Sequence, residues 1–218
     1  MTADARLGDL STATISDALD RLGIAGQAEG IRAVGPDVRC TGPAFTVRLV
    51  PITGTRGSVG DFIDEVPTGA VVVLDNGGRT DVTVWGDLLT ETAGRRGLVG
   101  TVIHGACRDG ARIRELGYPV FSRATYMRTG KGRVRAVDRQ VPISVGTAAV
   151  EPDDRIVADA DGVVVVPAGR AAEVLEVALE VDAAEDRIRR AVRSGASLAD
   201  ARRRVGYHDL QTARHESG

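Results

Sequence analysis

Apolar residues follow two spacings along the chain, one typical of helices and one typical of buried strands. Ile15, Ala18, Leu19 and Leu22 recur at helical spacing behind Ser and Thr residues, so the segment 10–22 predicts an amphipathic helix that Gly23 ends. Two further helices are predicted over 85–96 and 111–116, each ended by a glycine. Strands are predicted over 44–50, 70–74, 99–103 and 119–121.

Buried strands and helices alternate through the first 125 residues. The runs 70–74 and 99–103 are continuously apolar, which is typical of strands covered on both faces. This alternation predicts an α/β fold of three layers around a mostly parallel central sheet. Short β-rich runs over 133–166, broken by Gly, Pro and Asp, predict antiparallel hairpins that extend or cap the sheet.

The segment 171–193 is rich in Ala, Glu and Arg at helical spacing. It predicts one long helix with an apolar stripe, and we expect part of that stripe to contact another subunit. A single domain over 1–210 accounts for all of these elements. The residues 211–218 are expected to form a disordered tail.

Composition and charge narrow the class of partner. The 218 residues carry a formal net charge of -2 and 3% aromatic residues, which argues against a nucleic acid held through many phosphates or stacked bases. Arginines between 187 and 204 alternate with acids, as on a solvated helix face, and a docking surface is the second interpretation. Two cysteines are too few for a disulfide framework, and no apolar run has membrane-spanning length. We therefore expect a cytoplasmic location without membrane contact.

Two polar loops follow two of the apolar strands, at the end where open α/β sheets bind ligands. One is Asp75-Asn76-Gly77-Gly78, which leads to Trp85-Gly86-Asp87-Leu88-Leu89, and the other is His104-Gly105-Ala106-Cys107-Arg108-Asp109-Gly110. Arg108 can grip a planar carboxylate through two hydrogen bonds, and Asp109 offers the oxygen ligand that Mg²⁺ or Mn²⁺ accepts. In the alternative interpretation, Asp109 caps a helix and Arg108 forms a surface ion pair; the dipeptide alone favours this alternative.

The other polar residues of these loops leave several roles open. Asp87 suits a helix cap, while the free amides of the same helix start suit a substrate carboxylate. His104 is more typical of a structural histidine, and Cys107 lacks the basic partner of a nucleophile. The single lysine, Lys131, is predicted in an exposed turn between two glycines, which does not suit a Schiff base. An enzyme that cleaves carbon–carbon bonds beside a carbonyl then needs a metal ion as its electron sink.

Several segments together resemble one known family. They are Ile15-Ser16-Asp17-Ala18-Leu19, Gly42-Pro43-Ala44-Phe45-Thr46-Val47, Trp85-Gly86-Asp87-Leu88-Leu89, Gly97-Leu98-Val99-Gly100, Gly105-Ala106-Cys107-Arg108-Asp109, Pro119-Val120-Phe121 and Asp161-Gly162-Val163. The chain resembles the class II 4-hydroxy-4-methyl-2-oxoglutarate aldolases and the RraA-like proteins. The resemblance extends over nearly the whole domain.

The resemblance implies a swivelling-type β/β/α fold, assembled as a homotrimer or a dimer of trimers with active sites between subunits. It implies that Gly86, Asp87, Leu88, Leu89 and Arg108 bind the pyruvyl part of a 2-keto acid. In this scheme Asp109 coordinates Mg²⁺ or Mn²⁺, Asp87 holds metal-bound water, and Glu180 or Glu185 of a neighbouring subunit completes the site. The implied activity is retro-aldol cleavage of a 4-hydroxy-2-keto acid to release pyruvate, together with oxaloacetate decarboxylation through the same enolate.

Three other functions compete with this lyase. Relatives of the fold inhibit an RNA-degrading endonuclease without catalysis, and the presence of Asp109 beside Arg108 favours the enzyme over such a regulator. A methyltransferase would use the loop at Asp75, which lacks the glycine spacing of a nucleotide site. A phosphohistidine carrier would rest on His104 alone. The group attached to the pyruvyl half, the preferred metal and the oligomer size stay open.

Overall fold

Eleven strands and six helices make up the part of the chain that the computed structural model describes, residues 3–54 and 57–206. The helices are α1 (Ala3–Asp9), α2 (Thr12–Arg21), α3 (Asp87–Arg95), α4 (Gly110–Leu116), α5 (Ala171–Arg193) and α6 (Leu198–Val205). The strands are β1 (Arg32–Ala33), β2 (Cys40–Pro51), β3 (Val71–Asp75), β4 (Thr83–Trp85), β5 (Gly100–Cys107), β6 (Val120–Thr125), β7 (Val134–Arg139), β8 (Ile143–Val145), β9 (Ala148–Val150), β10 (Arg155–Asp159) and β11 (Gly162–Val166).

The centre of the sheet is parallel. The strands β2, β3, β5 and β6 pair in that order, each parallel to the next, and β4 continues the pairing along β5 beyond the end of β3. The strands from residue 134 onwards add antiparallel pairs: β7 and β10 on β2, β11 on β10, and a separate hairpin of β8 and β9. The predicted mostly parallel α/β sheet with antiparallel additions is confirmed.

The two ends of the sheet are joined by the chain between α2 and β2. The Val165 amide donates to the carbonyl of Gly26 at 2.7 Å, and the Ala28 amide donates to the carbonyl of Val163 at 3.0 Å. A few residues later, β1 pairs antiparallel with β6. The sheet therefore curls into a nearly closed barrel, in which the parallel half faces the antiparallel half.

Alternating side chains divide the core into layers, because successive residues of a strand point to opposite faces. On β3, Val71 and Val73 face the interior of the curled sheet, whereas Val72 and Leu74 pack on its outer side with residues of α3 and α4. On β11, Val163 and Val165 again face the interior, and the outward residues pack against α2 and α5. Helices therefore cover the outer faces of the two facing strand layers.

Some element bounds differ from those predicted. The helix predicted from residue 85 begins at Asp87, because Trp85 is the last residue of the short strand β4. The strand predicted over 44–50 begins earlier, at Cys40, and helices α1 and α6 were not predicted. The long helix has its predicted bounds, 171–193. The predicted tail at 211–218 lies outside the described residues.

Within residues 3–54 and 57–206, none of the helices is both long enough and apolar enough to cross a membrane.

Candidate active site

The two predicted loops meet where β4 and β5 end side by side. Trp85 pairs with Cys107 in the parallel ladder, and the amide of Arg108 donates to the carbonyl of Trp85 at 2.9 Å. The next residues on each side are Gly86 and Arg108, so the segment 86–89 lies against the Arg108–Asp109 turn. The structure therefore brings the sequence-predicted site residues together, and it does so through strand register.

Asp109 does not cap the helix that follows it. It occupies the position before α4 in a left-handed conformation, φ 60° and ψ 34°, and its side chain makes no capping hydrogen bond. Its Oδ2 instead accepts from the amide of Asp87 at 3.2 Å and lies 3.2 Å from Nε of Arg108. The helix-cap interpretation of Asp109 is therefore wrong, and the ion pair of Arg108 is with Asp109 itself.

Gly86 is where these groups come closest to the backbone. A Cβ added at this position would lie 2.6 Å from Oδ2 of Asp109 and 3.2 Å from Nε of Arg108. The φ of Gly86 is -159°, an extended conformation open to any residue. A glycine is needed at this position because Asp109 and Arg108 approach it, and the backbone conformation itself makes no such demand.

Asp87 is the first residue of α3, one position after the N-cap, Gly86. Its Oδ1 accepts from the amide of Leu88 at 2.8 Å, which is a local contact within the helix start. Its own amide points at Asp109. A negative charge in the first turn of a helix is favourable, so the Asp87 carboxylate stabilises the helix start.

A cavity of about 160 Å³ opens beside these residues. Besides residues 83–89 and Arg108, its wall contains Val59 and the turn Thr129-Gly130-Lys131. A second cavity, lined by residues of 57–64, shares Val59, Leu88, Leu89 and Lys131 with the first. Lys131 lies in an exposed turn, as the sequence predicts, but its position in the wall of the candidate site was not predicted. The bridge between Thr83 and Thr129 and two hydrogen bonds from Thr83 to the carbonyl of Arg128 bring the turn there, and no sequence motif indicates these contacts.

The carboxylate oxygens at this site suit a hard divalent ion that keeps much of its water. No group of three or more His, Cys, Asp or Glu side chains is gathered within residues 3–54 and 57–206. Mg²⁺ commonly takes only one or two protein carboxylates and retains several waters. Asp109, whose Oδ2 lies 3.2 Å from the amide of Asp87, therefore fits such an ion.

The two acids considered for completing a neighbour's site differ in their contacts. Oε2 of Glu180 lies 2.9 Å from Nη1 of Arg21, whose side chain is only 9% exposed, so Glu180 ties α5 to α2 within its own chain. Glu185 lies one turn further along α5 and pairs with the exposed Arg189 at 2.6 Å. Releasing Glu185 from a solvated pair costs little. Of the two, Glu185 is the acid whose cationic partner is the more exposed, since the side chain of Arg189 is 49% exposed and that of Arg21 is 9% exposed.

The contacts of His104 and Cys107 suit structural roles. Nδ1 of His104 lies 3.1 Å from Oδ1 of Asp75 and 3.0 Å from the carbonyl of Ser144. Burial alone would raise the pKa of Asp75, but hydrogen bonds from His104 and from the amides of Gly77 and Ser144 outweigh it and lower that pKa. Burial raises the pKa of the Cys107 thiol, which opposes thiolate formation.

Comparison with known proteins identifies the family. The RraA-like family model, Aldolase/RraA, matches residues 12–165, which is more than half of the chain. "Putative 4-hydroxy-4-methyl-2-oxoglutarate aldolase" of Halalkalibacterium halodurans is 34% identical over 187 residues, 84% of this chain and 85% of that protein. The chain therefore belongs to the RraA-like family, as its sequence motifs suggested.

Two further relatives span most of the chain. Protein DlpA of Legionella pneumophila is 42% identical over 205 residues, 93% of this chain, and the chain spans about a third of DlpA, 33%. The crystal structure of Streptomyces coelicolor RraAS2 is described as an unusual member of the RNase ES inhibitor RraA protein family. It matches with a TM-score of 0.76 and 31% identity over 84% of this chain and 93% of that one.

Proposed function

We propose that this chain is a class II, divalent-metal-dependent lyase that releases pyruvate from a 4-hydroxy-2-keto acid. The observation that carries the proposal is the orientation of Asp109. Its carboxylate leaves its own helix uncapped and lies with Arg108 and the Asp87 amide, beside a cavity that Arg108 and Asp87 line. A carboxylate held between a guanidinium and a backbone amide, next to a cavity, suits ligand binding better than it suits fold stability.

Each residue of the site has the role that its chemistry suits. Arg108 presents a planar fork of donors to the substrate carboxylate, and the amides at the start of α3 favour negative charge at the same place. Asp109 would hold Mg²⁺ or Mn²⁺, with Asp87 holding metal-bound water, and the ion would supply the Lewis acidity that enolate formation requires. Asp87 also accepts the proton of the C4 hydroxyl through a water. Oxaloacetate decarboxylation needs the enolate and does not need this base.

The proposal includes a second subunit. The described residues of one chain gather too few acids for a complete site, and Leu88 at the cavity mouth is 74% exposed. A homotrimer or a dimer of trimers, in which Glu185 of a neighbour reaches Asp109, would supply the acid and cover the apolar side chain. We place this assembly in the cytoplasm, with a small-molecule 2-keto acid as its partner.

A regulator of an RNA-degrading endonuclease is the second candidate. The similarity to RraAS2 at 31% identity supports it. Against it stands Asp109, because a purely protein-binding surface has no use for a carboxylate withdrawn from its helix toward a cavity. An endonuclease inhibition assay with the purified chain separates the two functions.

The decisive test is pyruvate release from a panel of 4-hydroxy-2-keto acids and oxaloacetate, with and without a chelator. We expect release that a chelator abolishes and that Mg²⁺ or Mn²⁺ restores. Borohydride added during turnover should leave the mass of the chain unchanged, because Lys131 is exposed and not desolvated as a Schiff-base lysine must be. Chelator-resistant turnover with a trapped adduct on Lys131 would assign the lyase to the other mechanistic class.

A further inference from the structure

A buried hydrogen-bond chain lies directly behind the candidate site. The indole Nε1 of Trp85 lies 2.8 Å from Oγ1 of Thr90, and Oγ1 of Thr90 lies 2.8 Å from the carbonyl oxygen of Gly86. Both side chains are buried, with 2% of Trp85 and 1% of Thr90 exposed. None of the functions discussed above involves these buried hydrogen bonds.

The direction of each hydrogen bond follows from the atoms. An indole N–H can only donate, so the hydroxyl of Thr90 must accept from Trp85, and its single proton is left for the carbonyl of Gly86. The amide of Thr90 also donates to that carbonyl at 3.0 Å. The Gly86 carbonyl therefore receives two hydrogen bonds from one buried residue, which holds it in a single orientation.

The orientation of the Gly86 carbonyl affects the candidate site through a single peptide plane. The carbonyl of Gly86 and the amide of Asp87 belong to the same planar trans unit and point in opposite directions. One end is held by Thr90, and the other donates to Oδ2 of Asp109 at 3.2 Å. A rotation of this plane at the Thr90 end would move the donor away from the carboxylate at the other end.

We propose that Thr90 is a positioning residue, which, with Trp85 behind it, sets the Gly86–Asp87 peptide and thereby the Asp109 carboxylate. The expected effect on Mn²⁺ and pyruvate binding rests on the proposed lyase function. The expected effect on the Asp87 amide rests on the hydrogen bonds alone. The hydrogen bond from the Thr90 hydroxyl does not help α3 to form, because a hydroxyl that donates to the carbonyl four residues back slightly weakens a helix.

The chain offers a matched control within the same helix. Oγ1 of Thr92 donates to the carbonyl of Leu88 at 2.8 Å, the same kind of contact over the same number of residues. It lies in an exposed position and connects to no tryptophan. Thr92→Val therefore removes an equivalent bond without touching the Gly86–Asp87 peptide.

The test compares Thr90→Val, Thr90→Ser and Thr92→Val with the parent by hydrogen exchange of the Asp87 amide and by calorimetric titration with MnCl₂ and pyruvate. In Thr90→Val we expect exchange of the Asp87 amide about tenfold faster, as for the loss of one hydrogen bond, and Mn²⁺ and pyruvate affinity lowered about tenfold. Thr90→Ser keeps the hydroxyl and should restore both values, and Thr92→Val should stay within about twofold of the parent.

Outcomes for the two proposals can be told apart. Unchanged exchange of the Asp87 amide in a folded Thr90→Val would overturn the positioning role, whatever the activity. Faster exchange in Thr90→Val, in combination with a parent protein that binds neither Mn²⁺ nor pyruvate, would support the positioning role and exclude the lyase. If Thr90→Val does not fold, Trp85→Phe removes the indole donor together with part of a buried ring, and it should shift the exchange of the Asp87 amide in the same direction. Trp85 is the single tryptophan of the chain, so its emission reports on this network without background.

Discussion

Replacing Gly86 with alanine tests whether the site depends on the close approach of Asp109 and Arg108. The new Cβ would lie 2.6 Å from Oδ2 of Asp109, a distance that real Cβ atoms essentially never show, so the carboxylate must move by about 0.4 Å or more to reach 3.0 Å. Catalytic groups need placement to within about 0.5 Å, and a 1 Å error can cost about 100-fold. We expect kcat/KM for pyruvate release to fall by about 10-fold to 100-fold in Gly86→Ala.

The fold should survive this change, which keeps the result interpretable. The extended φ of Gly86 accommodates alanine, and alanine is a poorer N-cap than glycine by only about 1 kcal/mol. The control is Gly94→Ala in the same helix, where the added Cβ has 4.0 Å to the ring of Tyr118. That substitution should stabilise the protein by about 0.5–1 kcal/mol and leave activity unchanged. A folded Gly86→Ala that releases pyruvate within about twofold of the parent rate would refute the reasoning.

Three further predictions concern roles, assembly and pH. Arg108→Lys keeps the charge and loses the bidentate fork, so KM for the keto acid should rise and kcat should fall; Asp109→Asn should lose mainly Mn²⁺ affinity and kcat, by about 100-fold or more, in steady-state kinetics with metal titration. Light scattering should show a trimer or a hexamer, since the apolar side chains of Leu88, beside the site, and of Met127 are 74% and 77% exposed in one chain, and an active monomer would contradict this. Burial alone would raise the pKa of Asp159, but hydrogen bonds from the Thr12 hydroxyl and amide outweigh it and lower that pKa. A lowered folded pKa adds stability above the unfolded value near 3.9 and loses it as pH falls through the folded value. Asp159→Asn should therefore destabilise the protein by about 1 kcal/mol at pH 7, in denaturant titrations, with the difference from the parent shrinking toward pH 3.

The parts of the fold that sequence could predict are those with a local cause. Continuous apolar runs mark β3 and β5, because both faces of a central parallel strand are covered. The bounds of α5 follow from its apolar stripe and its length. The short strand β4 was taken as the start of a helix because three residues are too few for an alternating pattern, and Trp85 fits either element.

The parts of the site that sequence could not predict depend on contacts between distant residues. The Asp109 carboxylate is aimed by a left-handed backbone conformation, which Asp tolerates but which the Arg-Asp dipeptide does not reveal. Lys131 reaches the cavity through the bridge of its turn to Thr83, and Glu180 is engaged by Arg21 across 159 residues. Family resemblance named Asp87, Arg108 and Asp109, whereas the Trp85–Thr90 chain behind them became visible only in the structure.

The closure of the sheet by the segment around Gly26 determines the order in which this protein can fold. The carbonyl of Gly26 bonds to the amide of Val165, and α2 buries its apolar face against β11 and α5. Contacts so distant in sequence carry a large loop-closure entropy and slow folding. During synthesis, Ile15, Leu19 and their neighbours therefore stay exposed until residues beyond 171 have been synthesised. We expect chaperone binding to α2 during synthesis and cooperative closure of the barrel after α5 is complete.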